Sequence, residues 1–185
     1  MRLFIAVNPP ERFRRDLDTR LDSIRPRVRI AWTTPPSWHL TLAFLGDWPE
    51  VRLQPTADAL AAAVGARPAF ALQPDRIGAF PDLRRPRVLF LHLDGGDPLR
   101  QLARDVRAAV DGVWPDGPQD RKDFHPHLTL ARVKHPLAGS EAACLQALDL
   151  GTWEPFSVDS VALMESALGR QGARYACRAT LPLGG

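Results

Sequence analysis

The 185-residue chain carries 24 lysines and arginines against 21 acidic residues, a formal net charge of +3, and is 45% hydrophobic. That is enough apolar material for the interior of one compact unit, so residues 1–185 are expected to form a single two-lobed domain. The charge is too small for the dense basic stripe of a dedicated nucleic-acid coat. Cys144 and Cys177 are the only cysteines and lack the short spacing of a zinc knuckle or a redox pair, so neither a disulfide scaffold nor a cysteine metal site is indicated, and no apolar run approaches the ~20 residues that span a bilayer.

A monomeric cytoplasmic protein is expected, with no membrane contact and no obligate protein partner. All the cationic residues except Lys122 and Lys134 are arginine. The guanidinium fork suits phosphate, although a composition rich in Ala and Pro accounts for the same excess more simply.

Residues 2 to 7 read as a short buried strand. The Pro9-Pro10-Glu11 sequence then opens a helix to about Ile24, with Phe13, Leu17, Leu21 and Ile24 on one face. Strands are expected at Val28 to Trp32, broken by Pro35 and Pro36, and at Trp38 to Leu45, ended by Gly46 and Asp47. A helix at about Pro55 to Val64 follows, then strand-like residues from Phe70 to Phe80 and a strand at Arg87 to Leu93. Leu99, Leu102, Val106 and Val110 mark a helix over Asp97 to Val113. The remainder reads as a strand at His127 to Val133, a helix at Ser140 to Leu148, and closing strands at Phe156 to Met164 and Tyr175 to Leu183. The portion from Phe70 onward repeats the first: strand, helix, then a strand starting His-Leu-Thr-Leu. The fold class is therefore α+β, with two pseudo-symmetric lobes of antiparallel-rich sheet, helices outside, and a central cleft carrying the repeated strands.

The repeated tetrapeptide is His39-Leu40-Thr41-Leu42 and His127-Leu128-Thr129-Leu130. In a strand, His and Thr at i and i+2 share one face, about 6.6 Å apart, while the two leucines anchor the other. One such pair is an ordinary edge or core histidine; two identical pairs require two independent accidents. Facing each other, they would flank one phosphate, with imidazoles for proton transfer near neutral pH and hydroxyls for its non-bridging oxygens.

Four segments carry a family resemblance: Arg2-Leu3-Phe4-Ile5-Ala6-Val7, Trp38-His39-Leu40-Thr41-Leu42-Ala43-Phe44-Leu45-Gly46, Arg85-Pro86-Arg87-Val88-Leu89-Phe90, and Phe124-His125-Pro126-His127-Leu128-Thr129-Leu130-Ala131-Arg132. With them the chain resembles, nearly end to end, the bacterial RNA 2',3'-cyclic phosphodiesterases of the two-histidine phosphoesterase superfamily, first called 2'-5' RNA ligases. The resemblance implies metal-independent hydrolysis of an RNA terminal 2',3'-cyclic phosphate to a 2'-phosphomonoester, without cofactor. It also implies His39 as proton donor to the leaving 3'-oxygen and His127 as the base that activates water. It implies reversible 2'-5' RNA ligation as well, joining a 2',3'-cyclic end to a 5'-hydroxyl.

Other residues are candidates for substrate contact. Arg132 resembles a phosphate ligand; regular alternation turns it away from His127, and only a twist or bulge brings it to the cleft. Phe124 is a candidate for base stacking or for the core, and His125 shares the parity of His127 if the strand starts early. His125, His127 and His39 could compose a three-histidine zinc set, but no carboxylate cluster accompanies them and no metal is expected. His92 and His135 have no motif around them and are expected in ordinary surface or core roles. Two functional alternatives stand beside the leading one. The first is a phosphodiesterase acting on small cyclic nucleotides, 2'-5' oligonucleotides or ADP-ribose cyclic phosphate; the second is a non-catalytic module that grips phosphorylated RNA ends.

Overall fold

The computed structural model describes residues 1–118, 120–169 and 172–184. Strand β1 (Arg2–Val7) is buried on both sides: Leu3, Ile5 and Val7 join the main core, while Phe4 and Ala6 form a separate cluster with Ala162 and Met164. Helix α1 (Glu11–Leu21) starts after Pro10, whose fixed φ suits a helix entry, and buries Phe13, Leu17 and Leu21 at four-residue spacing. Its outer face carries ion pairs Arg15–Glu11 and Arg20–Asp16. The helix stops three residues short of Ile24, which is buried in the turn leading to Pro26.

The expected strand at Val28 to Trp32 shrinks to β2 (Ala31–Trp32). The next strand, β3 (Leu40–Asp47), begins two residues later than expected because Pro35–Ser37 form a 3-10 turn. There follow α2 (Leu53–Val64), β4 (Phe70–Phe80), β5 (Val88–Asp94), α3 (Gly96–Val113), β6 (His127–Arg132) and α4 (Gly139–Gln146). The single strand expected over Phe156 to Met164 is two, β7 (Phe156–Val158) and β8 (Ser160–Gly169), followed by β9 (Gly172–Pro182).

All pairings are antiparallel, in the order β7-β4-β5-β6-β3-β1-β8-β9, with β2 beside β6. The centre of that order is the pair of motif strands, β6 and β3, and four strands lie to each side of the junction. β7 and β8 stand at far-apart places in the order yet only Asp159 separates them, so the sheet must curl until those regions meet. Buried residues of all four helices share one core with Leu3, Ile5, Leu40 and Leu128, which puts the helices on one face. The other face is the cleft. β1–α1–β3 and β5–α3–β6 are the two expected copies of one pattern.

Candidate active site

Leu40 pairs with Leu128 across the junction of β3 and β6, both 0% exposed and facing the helices. This antiparallel register sets His39 opposite Thr129 and Thr41 opposite His127, so the four polar residues share the cleft face. The two imidazoles are then diagonal neighbours, whose backbones sit about 7–8 Å apart. That spacing suits a phosphate held between two hydrogen-bonding side chains. All four are half-buried, and neither threonine hydroxyl has a hydrogen-bond partner among the described residues.

Beyond the Leu40–Leu128 pair each motif strand carries the same irregularity. Thr41 pairs with Ala6 and Ala43 with Ile5, so Leu42 is an extra residue; Thr129 pairs with Phe90 and Ala131 with Leu89, so Leu130 is extra. Leu42 and Ala43, like Leu130 and Ala131, are consecutively buried, as a bulge requires. The bulge reverses the alternation, and residue six of each repeat returns to the cleft face: Phe44 opposite Phe4, Arg132 opposite Val88. Regular alternation had turned Arg132 away; the bulge brings it round, near enough for its charge to oppose protonation of His127.

Each motif strand is fixed by a segment from the other lobe. Ahead of β3, Trp38 Nε1 donates to Thr33 Oγ1 at 2.8 Å, and Thr33 Oγ1 reaches the Leu130 carbonyl of β6 at 2.7 Å. In return Arg107 of α3 donates to the Leu42 carbonyl at 3.2 Å, and the Asp120 carboxylate accepts the Phe44 backbone N–H at 3.0 Å.

Each imidazole interacts with the backbone two residues before it. His127 Nδ1 lies 2.6 Å from the carbonyl oxygen of His125, two residues back, and the Ser37 backbone, two residues before His39, favours the protonated form of that ring. A carbonyl only accepts, so on His127 the proton is on Nδ1 and Nε2 is left bare for the cleft. Each ring also has two aromatic neighbours. Phe4 and Tyr175 stand 4.7 and 5.1 Å from His39, and Phe80 and Phe90 stand 5.2 and 5.3 Å from His127. Burial pushes the His39 pKa down to about 4, helped by the neighbouring charges of His127 and Arg14 and opposed by the Ser37 bond. His127 is also lowered, by burial first and then by His125, Arg132 and His92.

His125 lies on the same side, its ring 5.9 Å from Phe80. Phe124 does not line the imidazole pair: it packs on the helix-side core with the Arg107 guanidinium 5.8 Å from its ring. His92, expected in an ordinary role, pairs in register with His127 and has Nδ1 3.2 Å from the Asp75 carboxylate. Its signal was available in the alternation of β5, which puts Phe90 and His92 on one face, but which strand β5 would join was not. Among the described residues no group of three or more His, Cys, Asp or Glu side chains is placed to hold a metal ion, and no helix is long and apolar enough to cross a membrane.

A cleft with two such histidine–threonine pairs defines a two-histidine phosphoesterase site. The sequence profile of the 2'-5' RNA ligase superfamily matches residues 9–170, and the chain belongs to that superfamily. A Thermus thermophilus protein named RNA 2',3'-cyclic phosphodiesterase is 36% identical over 184 residues, covering 95% of this chain and 86% of its own. The crystal structure of TT0787, also from Thermus thermophilus, matches with a TM-score of 0.83 at 31% identity, over 100% of this chain and 99% of that one. The structure of E. coli LigT complexed with 3'-AMP matches at 0.73 and 27%, over 98% and 97%.

Proposed function

We propose that this protein hydrolyses the 2',3'-cyclic phosphate at the end of an RNA to a 2'-phosphomonoester, with His39 and His127 as acid and base. The observation that carries the reading is the duplicated bulged strand, which turns two imidazoles and two threonine hydroxyls to one phosphate-sized space. The name of the Thermus relative and the 3'-AMP bound to LigT support the substrate class.

In this reading His127 Nε2 takes a proton from water as its oxygen attacks phosphorus. The P–O3' bond breaks, and His39 gives its Nε2 proton to the departing 3'-oxygen. Thr41, Thr129 and Arg132 hold the non-bridging oxygens and offset the charge that builds there, and His125 borders the same space. With a 5'-hydroxyl in place of water as the nucleophile, the same steps form a P–O5' bond as the P–O3' bond breaks and join the cyclic end through a 2'-5' linkage.

Burial holds His39 unprotonated at neutral pH, so the donor's proton must arrive with the anionic substrate, which favours imidazolium beside it. The lowering of His39 to about 4 disfavours its protonated form and supports a second reading, in which His127 is the donor.

The test uses a short RNA with a 2',3'-cyclic end in the presence of EDTA, with identification of the phosphomonoester. Single His39→Ala and His127→Ala variants are expected to lose ~100- to 10,000-fold in rate; near-normal turnover by both overturns the proposal. A substrate with sulfur at the 3' bridging position separates the two assignments, because a thiolate leaves without a proton. Rescue of His39→Ala alone supports His39 as donor, and rescue of His127→Ala alone reverses the roles.

A further inference from the structure

The two lobes give their histidines different strand neighbours. One step beyond the Val7–Leu40 pair, the residue of the β1 segment beside His39 is Asn8, whose amide Nδ2 lies 3.9 Å from the Met164 sulfur. The residue in the equivalent place of the other lobe, paired with His127 one step beyond Leu91–Leu128, is His92. The pseudo-symmetry of the site is thus broken by an imidazole on the side of the base. We propose that His92 orients the attacking water by accepting a hydrogen bond from the O–H that His127 does not deprotonate, and so selects water over an alcohol as nucleophile. The assignment rests on the phosphodiesterase reading above.

Three observations support it. Val88, Phe90 and His92 alternate along β5 with the buried Leu89, Leu91 and Leu93, so His92 shares the cleft face with Phe90, the neighbour of His127. On its far side β4 pairs Ile77 with Leu91 and Pro74 with Leu93, which sets both Asp75 and Arg76 against His92. This bulge brings the Asp75 carboxylate 3.2 Å from His92 Nδ1, and Arg76 holds the same oxygen at 2.5 Å. Nδ1 is buried and its approach to Asp75 falls short of an aligned hydrogen bond. A lone pair there would be repelled by the carboxylate, so the proton of the neutral ring is on Nδ1 and Nε2 keeps the lone pair. With Nδ1 buried, the 24% of the side chain that stays exposed belongs to the other edge of the ring.

In the strand order β3-β6-β5, His39, His127 and His92 follow one another. His92 therefore stands beyond the base, on the side away from the leaving oxygen, where an in-line nucleophile enters. Directly paired residues have Cβ atoms about 4.5–5.5 Å apart, an interval that one water bridges. One O–H of that water gives its proton to His127 Nε2 as the oxygen bonds to phosphorus, the P–O3' bond breaks and His39 protonates O3'. The other O–H stays intact, donates to His92 Nε2 and ends as the P–OH of the monoester. An alcohol has a single O–H, which His127 takes, and offers nothing to His92.

The experiment presents an RNA with a 2',3'-cyclic end to wild type, His92→Leu and His92→Gln in aqueous methanol, and measures initial rates of the 2'-phosphomonoester and of its methyl ester by mass spectrometry. In His92→Leu hydrolysis should slow by roughly 2- to 13-fold, the worth of one hydrogen bond, while methanolysis is unchanged. The ratio of monoester to methyl ester falls by that factor, and it does not depend on how much of the variant is folded. His92→Gln, whose amide oxygen can stand where Nε2 stood, should restore the wild-type ratio. An unchanged ratio in His92→Leu, or an equal shift in His92→Gln, overturns the proposal. If wild type forms no methyl ester, the ester should first appear in His92→Leu, and its absence there overturns the proposal as well. Failure of wild type to turn over the cyclic end at all would instead sink the phosphodiesterase reading, and this inference with it.

Discussion

Replacing His39 by Asn removes a titrating imidazole while an amide can still reach the Ser37 carbonyl. In the folded protein burial holds His39 at about 4, whereas in the unfolded chain it titrates near its ordinary ~6.5. Above pH 6.5 the group is neutral in both states and contributes no pH dependence. As the pH falls from 6.5 toward 4 the unfolded chain takes up the proton first, so the native state progressively loses stability, a loss complete only below about 4. At 1.36 kcal/mol per pH unit the full penalty is about 3.4 kcal/mol, of which about 2.5 kcal/mol has accrued at pH 4.5. His39→Asn escapes this penalty. Urea unfolding at pH 7.5 and 4.5 should therefore show the stability difference between them moving by about 2.5 kcal/mol in the variant's favour, roughly a 1 M shift in relative midpoint at a slope near 2 kcal/mol/M. A difference that stays constant across the two pH values would refute the claim that His39 is held neutral by burial.

Sulfate, which does not titrate in this range, should bind the cleft with uptake of close to one proton, its affinity falling about tenfold per pH unit from 6.5 to 8. Calorimetry in buffers of different ionisation enthalpy measures this, and a pH-independent affinity would contradict the shared-proton mechanism. Gly78 of β4 lies opposite Phe90, and a Cβ added there would meet the Phe90 ring at 2.5 Å. Gly78→Ala should thus displace the ring that flanks His127 and lower turnover of the cyclic end, with a shift in the His127 imidazole resonances. Unchanged kinetics together with unchanged resonances would show that Phe90 does not set the position of His127.

The site was partly legible in the chain because its chemistry repeats. His39, Thr41, His127 and Thr129 announce themselves as two copies of an alternating pattern, and alternation alone assigns their common face. Arg132 was legible only with the bulge, since regular alternation turned it away, and a bulge is decided by how Leu130 and Ala131 pack against the helices. Phe124 carried no signal to distinguish cleft from core, and its place beside Arg107 follows from the path of the loop before β6. His92 has no motif at all; its position across from His127 depends on β5 choosing β6 as a neighbour.

The sequence by itself determined the order and type of most elements, the duplication and the two histidine–threonine pairs, because these depend on periodicities a few residues long. Only the tertiary structure decided that β3 and β6 are adjacent and antiparallel, that Asp159 divides one expected strand into two with different partners, and that the two bulges turn Phe44 and Arg132 into the cleft. Those outcomes depend on pairing between residues far apart in the chain and on filling one shared core, which no local pattern encodes.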